Sequence, residues 1–132
     1  MTNRIELYGI KNCDSVKKAR RWLEQHSLDH QFTDVRENGL TEAVIIDWLN
    51  RCNVAQLVNR RSTSWKSLTG TDKASINDLL EQLENDKSAK PKQQLAKFLT
   101  ANLLLIKRPV TVTAKADILI GFSEQEYQGA FL

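Results

Sequence analysis

Apolar and polar positions alternate over Arg4–Tyr8, with Ile5 and Leu7 on one side, and Gly9 follows. From Asp14 the spacing changes: Val16, Ala19 and Leu23 recur at helical intervals. This predicts a strand, a short loop and a helix running to about Gln25. His30–Val35 carries Phe32 and Val35 and leads into the turn-forming Glu37-Asn38-Gly39, so the second strand of a βαβ unit is expected there.

Val44, Ile45, Trp48, Leu49 and Cys52 then form a stripe along one helix face. Ile76, Leu79, Leu80 and Leu83 repeat that pattern, and Leu95, Phe98 and Leu99 give a third helix. Asn59–Trp65 is polar and expected to be irregular, whereas Glu84–Lys92 is charged, with Pro91 placed to open the third helix. The continuous apolar run Leu103–Ile106 fits a buried strand. Pro109 interrupts it, Val110 and Val112 alternate with threonines, and Ile118–Ile120, closed by Gly121, fits one more strand. Ser123-Glu124-Gln125-Glu126 has the form of a capping box, with Tyr127 and Phe131 on one face of the helix it opens. The resulting order, β-α-β, a block of helices, then β, β and a terminal helix, predicts an α/β fold.

The 132 residues suffice for one domain with a modest core, into which a helical subdomain can be inserted. Nineteen Lys and Arg against 16 Asp and Glu give a net charge of +3, and the basic residues are dispersed. That balance argues against a nucleic-acid partner. The start MTNRIELYG has no apolar stretch of signal-peptide length, and Leu103–Ile106 is far too short to span a bilayer. A cytoplasmic protein with no membrane partner is expected. Cys13 and Cys52 lie 39 positions apart with no CxxC pair and no His/Cys ligand spacing, so neither a structural disulfide nor a bound metal is expected.

Cys13 stands where the first strand's loop, Ile10-Lys11-Asn12, meets the first helix. A thiol there faces free backbone N–H groups at the positive end of a helix dipole, which favours the nucleophilic thiolate. Lys17 and Lys18 add positive potential on the next turn, while Asp14 opposes it. Cys52, last in an apolar stripe, reads as a packing residue. Two basic pairs, Arg60-Arg61 and Lys107-Arg108, offer donors suited to oxyanions and carboxylates. The proline after Arg108 is of the kind that adopts a cis bond.

Four stretches, YGIKNCDSVKKARRWLE at 8–24, FTDVRENGL at 32–40, LVNRRSTSWKSL at 57–68 and LLLIKRPV at 103–110, resemble the ArsC family of arsenate reductases and relatives. They are most similar to its YffB-like subgroup of proposed glutathione-dependent thiol reductases. The resemblance implies a thioredoxin-like fold with halves at about 1–40 and 103–132 and a helical insertion over about 41–102. It implies Cys13 as the nucleophile, Arg108 and Arg61 as catalytic arginines, and Asn12, Ser15, Arg60 and Pro109 as substrate-binding positions, with Arg60 or Arg61 facing the thiol. No bound cofactor is implied; glutathione is the expected co-substrate, with a small thiol or disulfide as substrate and glutaredoxin as a partner.

Arsenate-reducing members hold the oxyanion with three arginines, and where the third would fall this chain has Lys92-Gln93-Gln94-Leu95. Asp14-Ser15-Val16 also replaces the Gly-Thr-Ser that follows the thiol in those members. A missing charge-assisted donor weakens oxyanion binding by about 1.5–3 kcal/mol, roughly ten- to a hundredfold. A thiol or glutathione adduct is therefore a better substrate than arsenate, and weak arsenate reduction is an alternative. A further alternative is a non-catalytic regulatory or adaptor role, as in the Spx-type members of the superfamily. Those sense oxidants through a CxxC pair, and here Val16 occupies the second position.

Overall fold

The structure is a computed structural model and describes residues 4–85 and 89–132; residues 86–88 of the charged stretch before the third long helix lie outside it. Two compact units divide the chain. One comprises the chain up to Asn38 together with Arg108–Leu132, and the other is Gly39–Lys107.

The first unit is built on a four-stranded mixed sheet, in the order β2-β1-β3-β4. Strands β1 (Ile5–Gly9) and β2 (His30–Asp34) run parallel, joined by helix α1 (Asp14–Gln25), as the βαβ pattern predicts. Strands β3 (Val110–Val112) and β4 (Ile118–Ile120) are antiparallel to their neighbours, and helix α8 (Glu124–Phe131) closes the unit. The α/β, thioredoxin-like class expected from the sequence is the one observed. Val16, Ala19, Trp22 and Leu23 turn the buried face of α1 onto Ile5 and Leu7, and Tyr127 of α8 completes this core. The Tyr127 hydroxyl and the Thr111 hydroxyl share a buried 2.6 Å hydrogen bond. Burial, supported by nearby Glu126 and opposed by Thr111, pushes the Tyr127 phenol up to about 12. Ser123 caps α8 by accepting from the Glu126 N–H at 3.3 Å, as its sequence predicts. At Gly9 an added Cβ would lie 2.6 Å from Val16 Cγ2, so glycine is what lets the end of β1 approach α1 this closely.

Val35 does not extend β2. It opens a helical turn, α2 (Val35–Asn38), because the Asp34 carboxylate accepts from the backbone N–H groups of Arg36 and Glu37 and turns the chain.

The second unit is helical: α3 (Glu42–Arg51), α4 (Val54–Leu57), α5 (Thr63–Lys66), α6 (Gly70–Asn85) and α7 (Ala89–Ala101). The three apolar stripes correspond to α3, α6 and α7, with Cys52 as the residue that caps the C-terminus of α3 and Pro91 buried in the first turn of α7. Two corrections concern segments outside these three helices. Asn59–Trp65 is not wholly irregular, since Ser62 caps the short α5 by accepting from the Trp65 N–H. Leu103–Ile106 is not a strand. Leu103–Leu105 form a 3-10 turn, and only Ile106 pairs, in an isolated antiparallel bridge with Val58. A run of four apolar residues fits any buried backbone, and here Asn102 carbonyl accepts from Leu105 N–H before extended pairing can begin.

Candidate functional site

Cys13 is the N-cap residue of α1, in extended backbone conformation (φ −140°, ψ 123°), and its carbonyl accepts the Lys17 N–H at 3.0 Å. Its side chain makes no capping hydrogen bond, so the thiol is not spent on the helix terminus that it faces. The residue is half-buried against the core of the first unit, leaving part of it accessible to solvent. Asn12 and Ser15 flank it and are exposed.

The register of the sheet brings Arg108 to this end of the molecule. Strands β1 and β3 are antiparallel with Tyr8 opposite Val110. The two residues before Val110, Arg108 and Pro109, therefore sit where β1 leaves the sheet for the Cys13 loop. The Arg108–Pro109 peptide is cis, as the sequence suggested. Pro109 is buried, its carbonyl accepts the Gly121 N–H at 2.8 Å, and Arg108 is half-buried. Beside them, the Tyr8 hydroxyl donates to Glu6 Oε2 at 3.1 Å. Burial, reinforced by the Glu6 charge and this bond, pushes the Tyr8 phenol up to about 12, so it stays protonated at neutral pH.

The loop before Cys13 is held by a residue that sequence reasoning passed over. Asp34, only 6% exposed, ends β2, and its Oδ2 accepts the Lys11 N–H at 3.0 Å while Oδ1 accepts from Arg36 N–H at 2.9 Å. Burial pushes this carboxyl up, but the N–H groups of Lys11, Arg36 and Glu37 and the Lys11 charge outweigh it and hold the group below the usual carboxylate range. The Lys11 ammonium also pairs with exposed Glu37 at 2.8 Å. The Asp34 bond to Lys11, 23 residues away in sequence, has no local sequence signal.

Arg60 and Arg61 belong to the second unit. Both are exposed, on the turn that follows the Val58–Ile106 bridge, where the Arg61 N–H donates to Asn59 Oδ1 at 3.0 Å. The bridge, with Asn59 N–H to Leu105 carbonyl at 2.8 Å and Lys107 N–H to Leu57 carbonyl at 2.7 Å, places Lys107 beside them. Arg60, Arg61 and Lys107 line a cavity of about 400 Å³ whose other lining residues, Asn59 and Gln56 among them, carry no acid. The two sequence pairs are thus sorted differently: Lys107 joins Arg60-Arg61, and Arg108 joins the unit of Cys13. In α7 the Lys92 ammonium donates to Asn50 Oδ1 on α3.

Among the described residues no cluster of His, Cys, Asp and Glu is arranged to hold a metal ion, Cys13 and Cys52 form no disulfide, and no helix is long and apolar enough to cross a membrane.

The chain matches the ArsC family model over residues 8–79 and 76–130. It is 39% identical over 127 residues to an uncharacterized protein of Haemophilus influenzae, covering 96% of this chain and 98% of that one. It is 25% identical over 125 residues to the global transcriptional regulator Spx 2 of Bacillus cereus, covering 92% of this chain and 82% of the relative. Among solved structures, the YFFB (PA3664) protein superposes with a TM-score of 0.77 at 28% identity, over 97% of this chain and 99% of that one. An arsenate reductase (ArsC) related protein from Brucella melitensis superposes with a TM-score of 0.65 at 30% identity, over 99% and 97% of the two chains.

Proposed function

The chain belongs to the ArsC family, and within it we propose a glutathione-dependent thiol reductase whose nucleophile is the Cys13 thiolate. The observation that carries this reading is the Cys13 thiol itself: half-buried, at the N-terminus of a 12-residue helix, and making no capping bond. That position sets the sulfur at the positive end of the helix dipole. In the first step the thiolate attacks one sulfur of a substrate disulfide, forming a Cys13 mixed disulfide and expelling the other half as a thiolate. Glutathione thiolate then attacks the half of the substrate held on Cys13. The products are free Cys13 thiolate and a glutathione mixed disulfide, and a second glutathione, directly or through glutaredoxin, reduces that to thiol and oxidised glutathione.

Arg108 serves the first step as a cation and as a planar pair of donors for a carboxylate or oxyanion of the substrate. Asn12, Ser15 and Pro109 line the approach to the thiol. Arg60 and Arg61, with Lys107, supply a basic cavity suited to an anionic group, and one of the two arginines is the second catalytic arginine of this reading. Two cysteines outside any disulfide suit the reducing cytoplasm, where we place the reaction. Lys92-Gln93-Gln94-Leu95, with no third arginine, favours a thiol substrate over arsenate.

Turnover of a glutathione mixed disulfide by wild type and by Cys13→Ser tests the proposal. The variant is expected to fall to the uncatalysed rate, and equal rates would overturn the reading. The likeness to Spx 2, named a global transcriptional regulator, favours a second reading, a regulatory protein without turnover. It would be supported if wild type lacked turnover and Cys13→Ser still restored normal transcript levels to a strain lacking the protein. A redox switch between positions 13 and 16 has no part in that reading, because Val16 is a core residue at 1% exposure.

A further inference from the structure

We propose that Asp34 is a positioning residue for Cys13: its buried carboxylate fixes the nucleophile's loop by holding the Lys11 N–H, two residues before the thiol, at 3.0 Å. The inference rests on Cys13 being the nucleophile of the reading above, and deepens it.

The geometry divides the carboxylate between two tasks. Oδ1 serves α2, accepting from Arg36 N–H at 2.9 Å and, at 3.4 Å, from Glu37 N–H. Among the described residues, Oδ2 serves only the Cys13 loop. The Asp34 backbone is itself held, since its carbonyl accepts from Asn38 Nδ2 at 3.1 Å and its strand pairs with β1, Gly9 opposite Asp34. One end of the loop is thus anchored in the sheet at Gly9, the middle is tied to the neighbouring strand's end, and the far end enters α1. A loop of three residues so held has little freedom, and Cys13 inherits its place. A buried carboxylate satisfied by three backbone donors keeps its charge and stays put, as a positioning group must.

Asp34→Asn separates the tasks chemically. The amide oxygen still accepts from Arg36 and caps α2, whereas the NH2 group on the other side meets the Lys11 N–H donor to donor. Asp34→Ser likewise retains a capping oxygen but is too short to serve both sides. A displacement of about 1 Å at a reacting group costs up to about 10²-fold in rate. We therefore expect both variants to lose on the order of tenfold in kcat with KM little changed, and the second-order rate of Cys13 alkylation by iodoacetamide to fall severalfold, because a displaced sulfur leaves the helix N-terminus that makes it reactive. Glu37→Gln, which removes only the exposed ion pair to Lys11, is expected to leave both rates at wild-type values.

In wild type, the Lys11 amide resonance should move as Asp34 is protonated in an acid titration, and its exchange with solvent should be slowed. In Asp34→Asn both signatures should vanish while Arg36 stays protected. An unmoved, unprotected Lys11 amide in wild type, or variants that fold and alkylate as fast as wild type, would overturn the proposal. Where a variant fails to fold, an unmoved and unprotected Lys11 amide in wild type still overturns the proposal. Alkylation and amide exchange need no substrate. A protein without glutathione turnover that shows these effects would therefore sink the reductase reading and leave the positioning role standing, and the converse result would do the reverse.

Discussion

Arg108 is readable in the sequence as a candidate anion donor because an arginine before a proline at a strand start is local information, and the antiparallel register of β3 on β1 places it at the Cys13 end of the sheet. Arg108→Ala is expected to slow Cys13 alkylation at neutral pH and to raise KM for an anionic disulfide by roughly ten- to a hundredfold, the worth of a charge-assisted donor pair. Arg108→Lys should restore the alkylation rate more fully than KM, since lysine keeps the charge and loses the planar fork. Steady-state kinetics on the three proteins checks both expectations, and an unchanged alanine variant would reduce Arg108 to a flank of the proline. Cys13 was legible for the same local reason, a thiol between a strand's closing glycine and a helix's first turn. Asp34 was not, because Phe32 and Val35 on either side made its segment read as strand, and the partner that gives it meaning is 23 residues away.

At the scale of elements, periodicity located α1, α3, α6 and α7 because each turns a buried stripe to a core, and it located β1 and β4 by alternation and glycine closure. It failed at Leu103–Ile106, where four apolar residues satisfy a 3-10 turn as well as a strand, and at Val35, where a side-chain cap overrides a β-branched residue. The junction of β2 with α2 also gives the fold a dependence on pH. Asp34 has its carboxyl held below the ordinary carboxylate range in the folded chain, so its stabilising contribution is complete above that range and is lost as pH falls through the lowered value. Asp34→Asn removes this term. Thermal unfolding followed from pH 7 downward should show wild type losing melting temperature more steeply than the variant in the acid range, with the two curves converging; parallel curves would contradict the assignment.

For the whole molecule, the sheet unit carries the thiol and Arg108, and the helical unit carries the basic cavity formed by Arg60, Arg61 and Lys107. The grouping of Lys107 with the two arginines depends on the Val58–Ile106 bridge, a pairing across 48 positions that no local pattern announces. The basic pairs were visible in the chain, but their division between two units was not. What joins these parts into a function is the claim that Cys13 exchanges with glutathione disulfides, and peptide mass spectrometry tests it most directly. Brief exposure of the native protein to oxidised glutathione, followed by acid quenching, is expected to leave one glutathionyl group on Cys13, none on Cys52, and to show its removal on adding excess glutathione. A Cys13 that stays unmodified, or a label found on Cys52 instead, would contradict the account.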